Sequence, residues 1–269
     1  MSGTSDVGLT ETQSDFRFVV CIPARYGSSR LPGKPLIKLK GKALILWAVE
    51  AANQLGAEQV VVATDDERIK KLLDSNGHQV VMTNENHQSG TDRIAECADL
   101  MGWDKETWVL NYQGDEPNIP ASNVQQVINL IKAHPEASIG TLYQSIEKID
   151  DLFNPNLVKL VTDNHQRALY FSRAPIPWSL QQFKALSDTQ TVMPKGVNFK
   201  HHVGLYMYKV GFLRRFTKAP MAVIEQTESL EQLRALFMGD VIVAAPVVES
   251  MPHGIDTVKD VERFESLKL

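Results

Sequence analysis

Between Phe18 and Tyr143 short apolar runs alternate with segments whose apolar residues recur every three or four positions, which restricts the chain to a sheet covered by helices. The runs Phe18–Ile22, Gln59–Ala63, His78–Met82, Trp108–Tyr112 and Ser138–Tyr143 have the length of strands. Between them Leu44, Trp47, Ala48, Ala51 and Leu55 share a helical face, as do Ile69, Leu72 and Leu73 behind the N-cap candidates Asp65 and Asp66. Ile94, Ala98 and Met101 make a third stripe, and Val124, Val127, Ile128 and Ile131 a fourth. Strands separated by helices must be joined by crossovers, so the sheet is expected to be mostly parallel.

The pattern changes after Asp150-Asp151-Leu152-Phe153-Asn154-Pro155-Asn156. Val158–Thr162, Ala168–Ser172 and His202–Tyr208 alternate in polarity, which favours antiparallel pairing in an appended β-rich element. The polar, irregular stretch from Leu180 to Lys195 predicts a mobile connection. Leu230, Leu233, Leu236 and Phe237 then mark a helix, Val241–Val248 a last strand, and Val258 to Leu267 a closing helix. The expected organisation is a flexible tail over 1–15 and one domain over 16–269, with parts 16–150, 151–225 and 226–269.

A hydrophobic share of 43% over 269 residues is ample for a packed core. The net charge of −4 argues against a nucleic-acid binder, which carries a basic excess. Cys21 and Cys97 fall at core positions and read as buried thiols of a reducing, cytoplasmic compartment. Residues 1–15 lack the cationic start and apolar centre of a signal peptide, and no apolar run approaches the roughly 20 residues that span a bilayer, so no membrane insertion is expected.

Ligands of open α/β sheets lie beyond the carboxyl ends of the strands, and three such segments carry chemistry. The first, Arg25-Tyr26-Gly27-Ser28-Ser29-Arg30-Leu31-Pro32-Gly33-Lys34, combines cations with glycines that let backbone N–H groups approach an anion. It matches neither the dinucleotide nor the P-loop glycine pattern, so its cations must carry phosphate binding; a solvated turn is the alternative. The second, Gln113-Gly114-Asp115-Glu116-Pro117, places a carboxylate where a magnesium ion could be held, or else makes a structural Asx-turn. The third, Gly254-Ile255-Asp256-Thr257, offers a second carboxylate, or a cap for the closing helix.

Eight ordered motifs carry a wider likeness: the cationic loop, Ala63-Thr64-Asp65, His87-Gln88-Ser89-Gly90-Thr91-Asp92-Arg93, Gln113 to Pro117, Tyr170-Phe171-Ser172-Arg173, His202-Val203-Gly204-Leu205-Tyr206, Leu230-Glu231-Gln232 and Gly254-Ile255-Asp256. Over residues 17–269 the chain resembles the bacterial CMP-Kdo synthetases, the 3-deoxy-manno-octulosonate cytidylyltransferases.

The resemblance implies a Rossmann-like nucleotidyltransferase fold, a homodimer with its sugar-acid and dimerisation element in 151–225, Mg2+, and the substrates CTP and Kdo for lipopolysaccharide biosynthesis. By that likeness Arg25, Ser28, Arg30 and Lys34 hold the triphosphate, Ser89, Gly90, Thr91 and Arg93 approach the cytidine, and Asp115 and Asp256 bind the metal. Arg25, Lys34, Asp115 and Asp256 are the expected catalytic set, and Gln113, Arg173, His202, Tyr206 and Glu231 the sugar-acid set. The same chemistry on 8-amino-Kdo or another 2-keto sugar acid, and a catalytically silent nucleotide-binding subunit, are the alternatives. The sequence departs from the family pattern at Thr257-Val258-Lys259-Asp260, which replaces Thr-Pro-Glu-Asp, at His253, and in the leading tail. The missing proline is expected only to soften the helix start.

Overall fold

The computed structural model describes residues 16–27, 31–183, 192–252 and 254–267. Ser28, Arg30, His253, the tail 1–15 and residues 184–191 of the polar connection lie outside them.

Eleven strands are described: β1 (Phe18–Ala24), β2 (Lys38–Leu39), β3 (Lys42–Ala43), β4 (Gln59–Thr64), β5 (Val80–Met82), β6 (Trp108–Asn111), β7 (Ile139–Ser145), β8 (Lys159–Thr162), β9 (Ala168–Ser172), β10 (Lys200–Lys209) and β11 (Ile242–Pro246). The helices are α1 (Leu44–Asn53), α2 (Glu67–Ser75), α3 (Gly90–Leu100), α4 (Ala121–Ala133), α5 (Ile149–Phe153), α6 (Val210–Phe216), α7 (Val223–Glu228), α8 (Gln232–Phe237) and α9 (Val258–Ser266). The main sheet runs β11-β7-β10-β6-β1-β4-β5. β1 pairs in parallel with β4 and β6, β4 with β5, and β7 with β11.

β10 is the antiparallel exception, inserted between β6 and β7. Its first residues also pair with β8, which pairs antiparallel with β9, so one long strand joins the appended hairpin to the main sheet. The alternation in this part of the sequence therefore marks true antiparallel pairing.

Each face of the sheet has its own core. Val20, Ile22, Leu110 and Leu142 face α1 and α4, whereas Cys21, Val61, Val109 and Ala244 face α3 and α6. Cys21 and Cys97 are free and fully buried on the second face, where a hydrogen bond to Cys97 and then burial push the Cys21 thiol well above its ordinary pKa. Gly140 lets β7 and α4 close up: a Cβ there would lie 2.8 Å from Ile131.

Two local expectations are refined. Of the paired cap candidates, Asp66 caps α2, accepting from Arg68 N and Ile69 N at 2.9 and 3.4 Å, while Asp65 turns away. Asp256 does not cap α9; Thr257 does, in a reciprocal pair with Asp260. That pair starts the helix without the family's proline.

Candidate active site

The three chemically loaded segments follow β1, β6 and β11, and the fold brings them to one place. Lys34 opens a single 3-10 turn behind Gly33. Gly33 has φ +69°, a left-handed conformation that favours glycine, and a Cβ there would crowd the Tyr26 hydroxyl at 3.0 Å, so glycine lets this turn fold back without strain. The Lys34 ammonium thereby reaches Asp115 Oδ2 at 2.5 Å and Asp256 Oδ1 at 2.9 Å. The main chain locks the two acidic loops together as well, Ile255 N donating to Asp115 O at 2.8 Å. Gly254 lies against the same carbonyl, its Cβ position being 3.4 Å away, an ordinary van der Waals distance.

This is a concentrated electrostatic site. Burial opposes the charge of Lys34, but the hydrogen bonds and charges of Asp115 and Asp256 outweigh it and raise its pKa. Glu116 points inward; burial first, and then the charges of Asp115 and Asp256, push its carboxyl up to about 7. Two carboxylates converging on one cation make a hard-oxygen pair that suits magnesium. Arg25 stands exposed at the end of β1, on the approach to the same tips. Gln113 is half-buried, and its carbonyl accepts from Glu116 N at 3.1 Å.

The segment before α3 supplies the next group. Ser89 caps the helix, accepting from Asp92 N at 3.1 Å, and Gly90 lies against Pro23 at the end of β1. Arg93 differs from expectation: it is buried, with its guanidinium on Thr83 Oγ1 at 2.5 Å and Asp65 Oδ2 at 2.6 Å. Burial and this ion pair make it a fastener of α3 to the tips of β4 and β5, with no exposed face to offer a nucleotide. Its partner Asp65 was legible as a cap candidate and as part of a strand-end motif, not as the partner of Arg93.

Thr91 links this group to the sugar-acid set, its hydroxyl donating to Glu231 Oε2 at 2.6 Å. Beside that bond lies a cavity of about 70 Å³ lined by Thr91, Tyr206, Tyr208, Glu231 and Gln232 among others. Tyr206 stacks on Tyr208 at 5.3 Å, and burial holds both phenols above their ordinary pKa. His202 packs edge-on against Phe171 and touches Tyr206. The Thr141 hydroxyl is 3.1 Å from His202 Nε2 and about as close to the carbonyls of Val203 and Leu205. Those carbonyls can only accept, so the hydroxyl gives them its proton and the imidazole donates through Nε2.

Burial, aided by the neighbouring charge of His201, drives the His202 pKa down from 6.5 to about 3. A folded value below the unfolded one contributes stability that is present above pH 6.5 and lost as pH falls toward 3. Thermal unfolding measured from pH 7 to pH 5 is expected to show this loss in the wild type and a flatter profile in His202→Gln; equal slopes would remove the assignment.

Arg173 is braced on the main chain: its Nε donates to Glu228 O at 2.7 Å, Nη1 to Pro155 O at 2.8 Å and Nη2 to Ser229 O at 3.2 Å, which leaves one further N–H on each terminal nitrogen. Glu228 completes the brace, its carboxylate accepting from Ser172 Oγ and Arg173 N. Nothing local in the sequence announces Glu228.

An anion cradle and a carboxylate pair at the tips of a doubly covered sheet are what is needed to present a triphosphate to an incoming hydroxyl, and the class so defined is the nucleotidyltransferases. Residues 19–242 match the family model described as cytidylyltransferase. A 3-deoxy-manno-octulosonate cytidylyltransferase of Nitrosococcus oceani is 46% identical over 250 residues, 93% of this chain and 96% of the relative. One of Xylella fastidiosa is 49% identical over 249 residues, 92% and 95% of the two chains. The solved structure of a CMP:2-keto-3-deoxy-manno-octonic acid synthetase complexed with CTP superimposes with a TM-score of 0.82 at 36% identity, covering 93% of this chain and 98% of the other. The chain belongs to the 3-deoxy-manno-octulosonate cytidylyltransferase family.

Proposed function

We propose that this protein converts CTP and Kdo into CMP-Kdo and pyrophosphate in the cytoplasm, supplying lipopolysaccharide assembly. The observation that carries this reading is the meeting of Lys34, Asp115 and Asp256 beyond β1, β6 and β11. The anomeric 2-hydroxyl of the sugar acid attacks the α-phosphorus in line, and the bond to pyrophosphate breaks as the new P–O bond forms. Arg25 and Lys34, with Arg30 on the same loop, neutralise the triphosphate and the departing pyrophosphate. Ser89, Gly90 and Thr91 meet the cytidine, while Gln113, His202, Tyr206 and Glu231 hydrogen-bond the sugar. The neutral His202 gives its Nε2 proton to Thr141, so it meets a sugar hydroxyl through Nδ1 as an acceptor, and its low pKa makes it unsuited to proton transfer near neutral pH.

Asp115 and Asp256 would hold Mg2+, and Lys34, which meets both carboxylates, would share the site with the phosphates. A magnesium ion bound there neutralises α-phosphate charge and acidifies a nearby hydroxyl. Pyrophosphate release measured with Kdo, 8-amino-Kdo and a sialic acid tests the reading: Kdo is expected to be turned over fastest, and preference for another acid would reassign the substrate.

Arg173→Ala is expected to raise KM for the sugar acid by about 10- to 100-fold, the loss of charge-assisted bonds to a carboxylate, with much less effect on KM for CTP. Equal effects on both would leave the arginine a brace between loops.

Leu169 on β9, followed by Trp178 and Leu180, exposes apolar surface along the appended element, which supports a homodimer there. Sedimentation of the 30.0 kDa chain is expected to report twice that mass; a monomer would refute the dimer. The buried free thiols Cys21 and Cys97 support a reducing compartment.

A further inference from the structure

A buried side chain on α4 clasps the loop that carries Asp256. Asn123 is fully buried and lies in the first turn of its helix, yet it does not cap that turn. Its Oδ1 accepts from Val248 N at 2.8 Å and Glu249 N at 3.1 Å, and its Nδ2 donates to Glu249 O at 2.8 Å and Met251 Sδ at 3.3 Å. The polar capacity of the amide is thus spent on three residues of one loop, Val248, Glu249 and Met251, which runs on to Asp256. α4 itself is the continuation of the Asp115 loop, whose far end is pinned where Ile119 N donates to the buried Tyr112 hydroxyl. Helix and loop therefore share one joint, and each leads within a few residues to one of the two aspartates.

We propose that Asn123 is a positioning residue that sets the spacing of Asp115 and Asp256 and so tunes the affinity of the pair for a divalent cation. The proposal rests on the metal role given to the aspartates above. The physical reason is the short reach of a carboxylate: a loop left free to drift by a fraction of an ångström no longer presents both oxygens to one small ion. The Ile255 N to Asp115 O bond joins the two main chains at one point and Lys34 bridges the side chains, while the Asn123 clasp holds the Asp256 loop further back and fixes the angle between them. An apolar residue at position 123 would also take the side-chain acceptor away from the N–H groups of Val248 and Glu249.

The test uses the full chain with Mn2+ in place of Mg2+ and with CTP. Protein-bound Mn·CTP is read from the water-proton relaxation rate against free Mn·CTP, alongside turnover and thermal unfolding. Asn123→Ala is expected to weaken Mn2+ retention by about 10- to 100-fold and to lower kcat, with KM for the sugar acid unchanged. Asn123→Asp keeps the acceptor side and loses the donors, so it should fall between the alanine variant and the wild type. Ser122→Ala, which loses only a bond to the Glu249 carboxylate, should match the wild type. Normal Mn2+ retention by Asn123→Ala while Asp115→Asn retains none would overturn the proposal and leave the metal site standing. Normal retention by Asp115→Asn would remove the metal site itself. Should the alanine variant not fold, Asn123→Asp decides: unchanged retention and turnover overturn the proposal.

Discussion

Asp115→Asn is expected to lower turnover by about 10³-fold or more while leaving the fold intact, the scale of losing preorganised charge stabilisation at a reacting phosphate. The substitution keeps the shape of the side chain, and an amide oxygen can still accept from Lys34. What disappears is the negative charge that, with Asp256, draws a cation to the tips of β1, β6 and β11. Asp115 also shares its backbone carbonyl with the Asp256 loop, and that link survives the change. Loss of pyrophosphate release with a normal melting curve is the expected combination. Turnover within tenfold of wild type would place the chemistry elsewhere.

Arg234→Met is expected to produce the largest loss of stability, about 3–5 kcal/mol, because it strands a buried carboxylate. Arg234 forks onto Glu225, Nε to Oε2 at 2.8 Å and Nη2 to Oε1 at 2.5 Å, and lies 4.3 Å from the centre of the Phe216 ring. Both side chains are almost wholly enclosed, at 10% and 4% exposure, so water cannot replace the lost partner. Glu225 also accepts from Ala222 N at 3.0 Å and so starts α7. The pair clamps α7 to α8, just behind Glu231, so partial unfolding there should loosen the sugar-acid pocket before the nucleotide loop. A fall in Tm of roughly 10 °C is expected, with substantial recovery in the double variant that also carries Glu225→Met. A single variant melting like the wild type would show that the pair contributes little.

Much of this arrangement was legible from local sequence, for identifiable reasons. Strand-length apolar runs fixed β1, β4, β6 and β7 because burial on two faces leaves no room for polar residues. Each loaded segment had a structural alternative, a solvated turn, an Asx-turn or a helix cap, and they stood out because all three follow strand ends. The convergence of Asp115 and Asp256 followed from topology, since parallel strands put their carboxyl ends on one edge.

What remained hidden depends on partners far apart in the chain. Arg93 lies in a ligand-like motif, and only the fold reveals that Asp65 and Thr83 consume its guanidinium. The short β2–β3 hairpin and α5, α6 and α7 carry too few periodic residues to announce themselves. The alternation over His202–Tyr208 predicted antiparallel pairing, but not that this strand would lie between β6 and β7. Asn123 is invisible from sequence for the same reason: its value lies in a loop more than a hundred residues away, |i−j| being 125 for Val248.

The most direct measurement is 31P NMR of the protein with CTP, Kdo and Mg2+. The expected spectrum shows a new phosphodiester resonance growing in equal measure with pyrophosphate as the CTP signals decline. Unchanged CTP, or pyrophosphate accompanied by free CMP with no diester, would contradict transfer of a cytidylyl group to the sugar acid.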